Sequence, residues 1–387
     1  MSVSAPAAPK VTRRSEYAPP LYYIDTVSLD FNITEGLTTV TSTMALRPRG
    51  AAAASPSAPP ALVLHCGKDV SVQSVSIGGQ AVAWSAGEGT LEVPLTPQQA
   101  PAFSLTTVSH IVPEKNTELE GLYRSSEGMY CTQCEAEGFR AITPFIDRPD
   151  NLSRFTVRLE ADRGAYPVLL SNGDCTERGL VGSGGRHYAV WVDPFPKPSY
   201  LFALVAGDLV SREDSYTTVP SGKPVALKLW TKAHDWSKGA WAMESIKKAM
   251  AWDERRFGLE YDLSEFNVVA VSDFNMGAME NKSLNIFNSR LVMATPTTAT
   301  DVDFGRIEGV IVSAGKQALP AAVCLLSRHT PYPPPPPSLR GPRVLSQLDR
   351  QPRDLPGLVP ADAQGGPHRV PRPGVLHGLQ QPPSEAH

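Results

Sequence analysis

The chain has 387 residues, 41% of them apolar and 19% charged, with a formal net charge of -3. That length predicts about two or three domains with a real core, and the charge balance excludes both a nucleic-acid footprint and a strongly acidic partner surface. No apolar run reaches the roughly eighteen residues that a membrane span needs.

Residues 1–16 open M-S-V-S-A-P-A-A-P-K, lack the apolar stretch of a secretory signal, and are expected to form a flexible N-terminus. Residues 17–213 carry the pattern of strands. Val27, Leu29, Phe31 and Ile33 alternate with polar residues, as do Phe155, Val157, Leu159 and Ala161, the period of a strand with one buried face. Gly78-Gly79 and the run Ser171-Asn172-Gly173-Asp174 supply turns. Many short strands with few helical stretches predict a mainly β fold, an antiparallel sandwich or saddle-shaped sheet. The alanine- and proline-rich residues 47–61 read as a surface-loop insertion.

After residue 213 the texture becomes α+β. Residues 236–257 read as a helix with Ala242, Ile246, Ala249, Met250 and Phe257 on one side. Residues 267–271 read as a short buried strand. Thr300 is placed to cap a helix running from Asp301 to Ile311.

Five cysteines (Cys66, Cys131, Cys134, Cys175, Cys324) form no disulfide ladder, which fits a reducing, cytoplasmic setting. Cys131 and Cys134 make one C-x-x-C pair without a second, and a structural role fits it better than zinc or redox work. The eight histidines show no metal-ligand spacing and read as surface or loop residues.

The strand at 267–271 leads into V-S-D-F-N-M-G-A-M-E-N-K-S-L-N-I-F-N (271–288), and residues 119–140 read L-E-G-L-Y-R-S-S-E-G-M-Y-C-T-Q-C-E-A-E-G-F-R. Both segments resemble the zinc aminopeptidases typified by aminopeptidase N, as do residues 193–208 and 247–262, in that family's bacterial-type branch. The resemblance covers about residues 15–311. It implies a β-domain over 17–213 and, over 214–311, the start of a thermolysin-like catalytic domain that stops short of the zinc motif. It also implies removal of single residues from peptide N-termini. Such an enzyme must hold a free ammonium group, and fixed carboxylates do this through charge-assisted hydrogen bonds. The family's amine-anchoring carboxylates fall on Glu280 and Glu135. Gly277 and Ala278 would offer backbone contacts, Gln133 and Met276 would line the first side-chain pocket, and Met279 and Asn281 complete the substrate-binding set. A lone loop glutamate is ordinarily just solvated; the motif around Glu280 is what marks it.

In that family the counterpart of Glu308-Gly309-Val310-Ile311 continues into G-H-E-x-x-H, with a third zinc ligand about eighteen residues on. Here the text continues V-S-A-G-K-Q-A-L-P, and no H-E-x-x-H occurs anywhere. Zinc is therefore the family's cofactor, while no catalytic residue and no metal ligand is predicted for this chain. The codons of residues 341–375, read one nucleotide later, permit G-H-E-Y-F-H-N-W-T-G-N-R-V and onward through a third ligand. Val312-Ser313 can be encoded GTGAGT, a good splice-donor sequence. A retained intron over about residues 312–340, a gene-model error or a frameshifting insertion would each produce this text. Residues 312–387 are accordingly expected to be out of frame, proline-rich and disordered.

The resemblance names peptides with a free N-terminus as partners; no nucleic acid, membrane or oligomeric state is assigned. The sequence supports a zinc exopeptidase inactive as translated. The alternatives are a non-catalytic module binding peptide N-termini and a regulatory truncated isoform.

Overall fold

Alternating burial organises the first half of the molecule. In the computed structural model, which describes residues 13–50, 61–97, 102–183 and 185–315, Tyr22–Thr34 buries Ile24, Val27, Leu29, Phe31 and Ile33. A bulge between Ile24 and Thr26 shifts the alternation by one residue. This strand pairs antiparallel with Leu37–Pro48 and parallel with Ser153–Asp162. Together they form the centre of an eight-stranded sheet, ordered Asp174–Val181, Arg186–Lys197, Ser153–Asp162, Tyr22–Thr34, Leu37–Pro48, Phe103–Ile111, Ser71–Ile77 and Gln80–Ala81.

Two smaller antiparallel sheets accompany it. One has the order Val168–Ser171, Leu204–Gly207, Tyr130–Gln133, Gly121–Arg124; the other runs Leu62–His65, Thr90–Val93, Ser85–Gly87. Between the layers lies an aromatic cluster. Phe139 is fully buried, with ring centroids 4.8 Å from Phe145, 5.2 Å from Phe202 and 6.0 Å from Phe155, spacings that suit edge-to-face packing.

A mixed five-stranded sheet follows, ordered Val210–Thr217, Pro224–Thr231, Glu265–Val271, Leu284–Asn288, Ala278–Met279. Six of the seven residues of Glu265–Val271 are buried, because both faces of this strand are covered. Val269, Val271, Met279, Leu284 and Ile286 join the core of the β-rich unit. Phe266, Val268, Ala270 and Phe287 face the other way, onto helices α1 (Ala240–Phe257) and α2 (Asp301–Gly315). The boundary read at residues 213 and 214 falls inside the edge strand Val210–Thr217.

The mainly β reading holds, and the departures from the sequence reading are local. The one parallel pair in the large sheet arises because the chain crosses between sheets before returning beside Tyr22–Thr34. Residues 171–174 do not close a hairpin: they pass from the four-stranded to the eight-stranded sheet. Trp236 lies in a 3-10 stretch, Ala233–Gly239, ahead of α1. Phe257 ends α1 at 41% exposure, edge-on to Trp252, since the last turn passes the edge of the core. His65, His110 and His187 sit in strands, not loops; His65 Nδ1 accepts the Asp147 N–H at 3.2 Å, a role that suits a neutral imidazole whose basicity burial lowers.

Helix α2 begins as expected. The Asp303 N–H donates to Thr300 Oγ1 at 3.4 Å, and Asp303 Oδ2 accepts the Thr300 N–H at 2.9 Å, a reciprocal cap. It then runs four residues past Ile311, through Val312-Ser313-Ala314-Gly315. Adding a residue to an existing helix is easy compared with nucleating one, so helix persists where disorder was expected. Residues 316–387 lie outside the described residues, as do 1–12 and 51–60, so the tail, N-terminal and loop-insertion readings largely fall there. Among the described residues no helix is long and apolar enough to cross a membrane.

Candidate functional site

The two candidate anchors come from different sheets. Glu135 follows the strand Tyr130–Gln133, at a tight turn that the Gly138 N–H closes by donating to the Cys134 carbonyl at 2.9 Å. A Cβ on Gly138 would stand 2.5 Å from the Gln133 carbonyl oxygen and 2.9 Å from the Gly121 nitrogen. Only glycine allows that approach.

Glu280 follows the edge strand Ala278–Met279, which pairs with Ile286 and Phe287. The Asn288 N–H donates to the Gly277 carbonyl at 3.0 Å, and Asn288 Nδ2 donates to the Phe274 carbonyl at 3.0 Å. These bonds hold the middle of the loop to its own sheet.

The fold brings the two carboxylates into each other's field. Burial pushes the Glu280 carboxyl above its ordinary value, a hydrogen bond from its own backbone opposes this, and the Glu135 carboxylate pushes it up further. Glu280 is partly buried and Glu135 exposed. Each has a buried amide beside it. Gln133, 2% exposed, donates through Nε2 to the Glu135 carbonyl at 3.2 Å. Asn281, 1% exposed, donates through Nδ2 to the Met279 carbonyl at 3.5 Å. The other amide atom of each, Gln133 Oε1 and Asn281 Oδ1, has no hydrogen-bond partner among the described residues. The site is thus rich in acceptors and poor in donors.

The remaining candidates separate. Met276 is 46% exposed, whereas Met279 is buried within the core of the β-rich unit. Leu291 bounds the space over Gly277, where a Cβ would lie 3.2 Å from Leu291 Cδ1. Ala278 packs with the helical layer and α2 lies against its strand. Cys131 and Cys134 are fully buried; burial pushes the Cys131 thiol up to about 12 and Cys134 well above its ordinary value. Thiols that stay protonated are structural, not redox-active.

Sequence reasoning missed the residues that brace this site. Asp273, Lys282 and Ser283 bond across the joint between the β-rich unit and the mixed sheet, to Ser126, Asn172 and Gly173. Lys282 and Asp273 lie within the signature run, yet nothing in their spacing distinguishes bracing from a solvated charge.

The chain that folds into this β-rich unit and mixed sheet matches known proteins along most of its length. Residues 64–201 match the Peptidase M1 N-terminal domain and residues 241–313 the Peptidase family M1 domain. Aminopeptidase N of Caulobacter vibrioides is 50% identical over 305 residues, covering 78% of this chain and 34% of that protein. Aminopeptidase N of Escherichia coli is 47% identical over 304 residues, covering 78% and 33%. A crystal structure of Legionella pneumophila aminopeptidase A in complex with aspartic acid superposes with a TM-score of 0.72 at 31% identity, covering 78% of this chain and 35% of that one. The chain belongs to the M1 peptidase family. It spans about a third of the length of these relatives and aligns with their N-terminal portion.

Proposed function

We propose that the gene behind this chain encodes an M1-type zinc aminopeptidase and that the chain as translated neither holds zinc nor cleaves peptides. One observation carries this reading. Helix α2 reaches the point where the family's zinc motif begins, and the residues there are Val312, Ser313, Ala314 and Gly315. Zinc takes imidazole, thiolate or carboxylate ligands, and neither a serine hydroxyl nor an alanine methyl can replace a histidine ligand or the general base. Among the described residues no group of three or more His, Cys, Asp or Glu is placed to hold a metal. The residues present do not fit the family's zinc. The shifted reading of residues 341–375 supports a lost reading frame as the cause. Free cysteines at 66, 131, 134 and 175 support a reducing, cytoplasmic setting.

The purified chain is expected to carry far less than stoichiometric zinc by elemental analysis and to leave alanyl p-nitroanilide uncut. Stoichiometric zinc together with turnover would overturn the reading. A transcript sequenced across the Ile311 codon should also yield a species that continues into G-H-E-Y-F-H.

A second reading rests on the carboxylate pair and its unpartnered amide oxygens: the chain binds peptide N-termini without cleaving them. An acceptor left buried and unpaired costs about 1–3 kcal/mol, and an ammonium group could relieve that cost while meeting both carboxylates. A peptide with a free alanyl N-terminus is then expected to bind more tightly than its acetylated twin. Binding should strengthen as pH rises through the elevated Glu280 value, because the acid must lose its proton to grip a cation. Equal affinities for the two peptides would remove this reading.

A further inference from the structure

The signature loop is held at both ends by groups from the β-rich unit. At its start, the Asp273 carbonyl accepts the Tyr123 hydroxyl at 3.1 Å, and Asp273 Oδ2 accepts the Ser126 N–H at 2.5 Å. At its end, the Lys282 carbonyl accepts Asn172 Nδ2 at 2.7 Å, and Ser283 Oγ accepts the Gly173 N–H at 2.7 Å. Asn172 is fully committed: its Oδ1 accepts the Ala203 N–H at 2.8 Å, and Nδ2 also donates to the Leu201 carbonyl at 3.1 Å. It is 1% exposed, so it cannot exchange these bonds for water without opening the joint. The Lys282 ammonium sits 2.8 Å from Asp262 and over the Phe195 ring at 4.4 Å.

Tyr123 also belongs to the strand pair that carries the other carboxylate. Gly121–Arg124 pairs residue by residue with Tyr130–Gln133, two residues before Glu135. One hairpin thus presents Glu135 and pins the loop that presents Glu280. The Glu280 carboxyl is hydrogen-bonded by its own backbone, so its place depends on that backbone.

We propose that Tyr123 and Asn172 are positioning residues for Glu280, fixing its depth in the joint and its separation from Glu135. The functional consequence, amine recognition, rests on the second reading above; the positioning itself does not.

The test uses the full chain labelled with carboxyl-13C glutamate, with the Glu280 resonance assigned by its loss in Glu280→Gln. In Tyr123→Phe and Asn172→Ala, a loosened loop admits water, and the Glu280 titration midpoint should fall toward that of free glutamate. Affinity for alanyl-alanine amide should fall about three- to tenfold, the equivalent of one net hydrogen bond. A merely structural role would lower the melting temperature and leave the midpoint in place. Folded variants titrating as the parent does would overturn the proposal. Should Asn172→Ala fail to fold, Tyr123→Phe, which loses one oxygen atom, decides alone. If the parent binds no amine while the variants still shift the midpoint, the amine reading fails and the positioning stands.

Discussion

Replacing Lys197 by methionine is expected to remove about 3–5 kcal/mol of folding stability, the usual consequence of leaving one buried charge without its partner. Lys197 and Asp193 are 1% and 0% exposed, with Nζ 3.1 Å from Oδ2. Burial pulls the ammonium below its ordinary value, and the Asp193 carboxylate opposes that pull. The ammonium also lies 3.8 Å from the centroid of the Phe155 ring, a cation–π contact deep in the aromatic cluster. Removing the lysine leaves the Asp193 carboxylate still accepting the Phe195 N–H at 3.2 Å, a neutral donor that does not balance its charge.

The double variant Lys197→Met/Asp193→Leu should recover most of that loss, because replacing both charges by apolar groups removes the desolvation penalty as well as the attraction. Urea unfolding of parent, single and double variants measures the difference. A single variant as stable as the parent would show that the pair carries no such energy. The pair's position raises the stakes. Lys282 is close enough to push the Lys197 ammonium down, so a fully buried ion pair, Lys197–Asp193, and a partly buried one, Lys282–Asp262, share the joint that carries the candidate site. Loss of either pair should be felt at Glu280 sooner than at the distant edge of the eight-stranded sheet.

The sequence makes Tyr22–Thr34 and Ser153–Asp162 legible as strands because each buries one face and leaves the other closer to water. Val27, Leu29, Phe31 and Ile33 show period two, and all four are buried. It made Glu135 and Glu280 legible for a different reason: they lie in motifs whose resemblance carries their role, and the fold then places them in mutual range. What was hidden depends on pairing across distance. Nothing near Ser171-Asn172-Gly173-Asp174 says that its neighbours join different sheets, or that Asn172 will meet a carbonyl 110 residues on. Lys197 reads as an ordinary surface lysine until Ser153 pairs with it across the sheet and places its side chain over Phe155. Phe257 fits the apolar side of its helix and is nonetheless exposed, because periodicity gives the angle around a helix and not how far the core extends along it.

Gly173→Ala should be the most damaging single methyl group in this joint. The glycine has φ +94°, and a Cβ would stand 2.1 Å from the Val192 carbonyl oxygen and 2.4 Å from its carbon. Those atoms belong to the backbone of a paired strand and cannot rotate aside. Backbone strain of about 1–3 kcal/mol therefore adds to overpacking of about 1–3 kcal/mol. Gly182→Ala provides the comparison: its φ is +61°, but nothing lies within 4 Å of the new Cβ, so only the conformational cost of about 1–2 kcal/mol applies. Thermal melts should place Gly173→Ala well below Gly182→Ala, and equal melting temperatures would mean that Val192 yields freely. The Gly173 N–H also holds Ser283 Oγ, so the same substitution should carry the Glu280 turn with it. Any affinity for free peptide amines should then fall in Gly173→Ala and persist in Gly182→Ala, which separates damage at the joint from a general loss of stability.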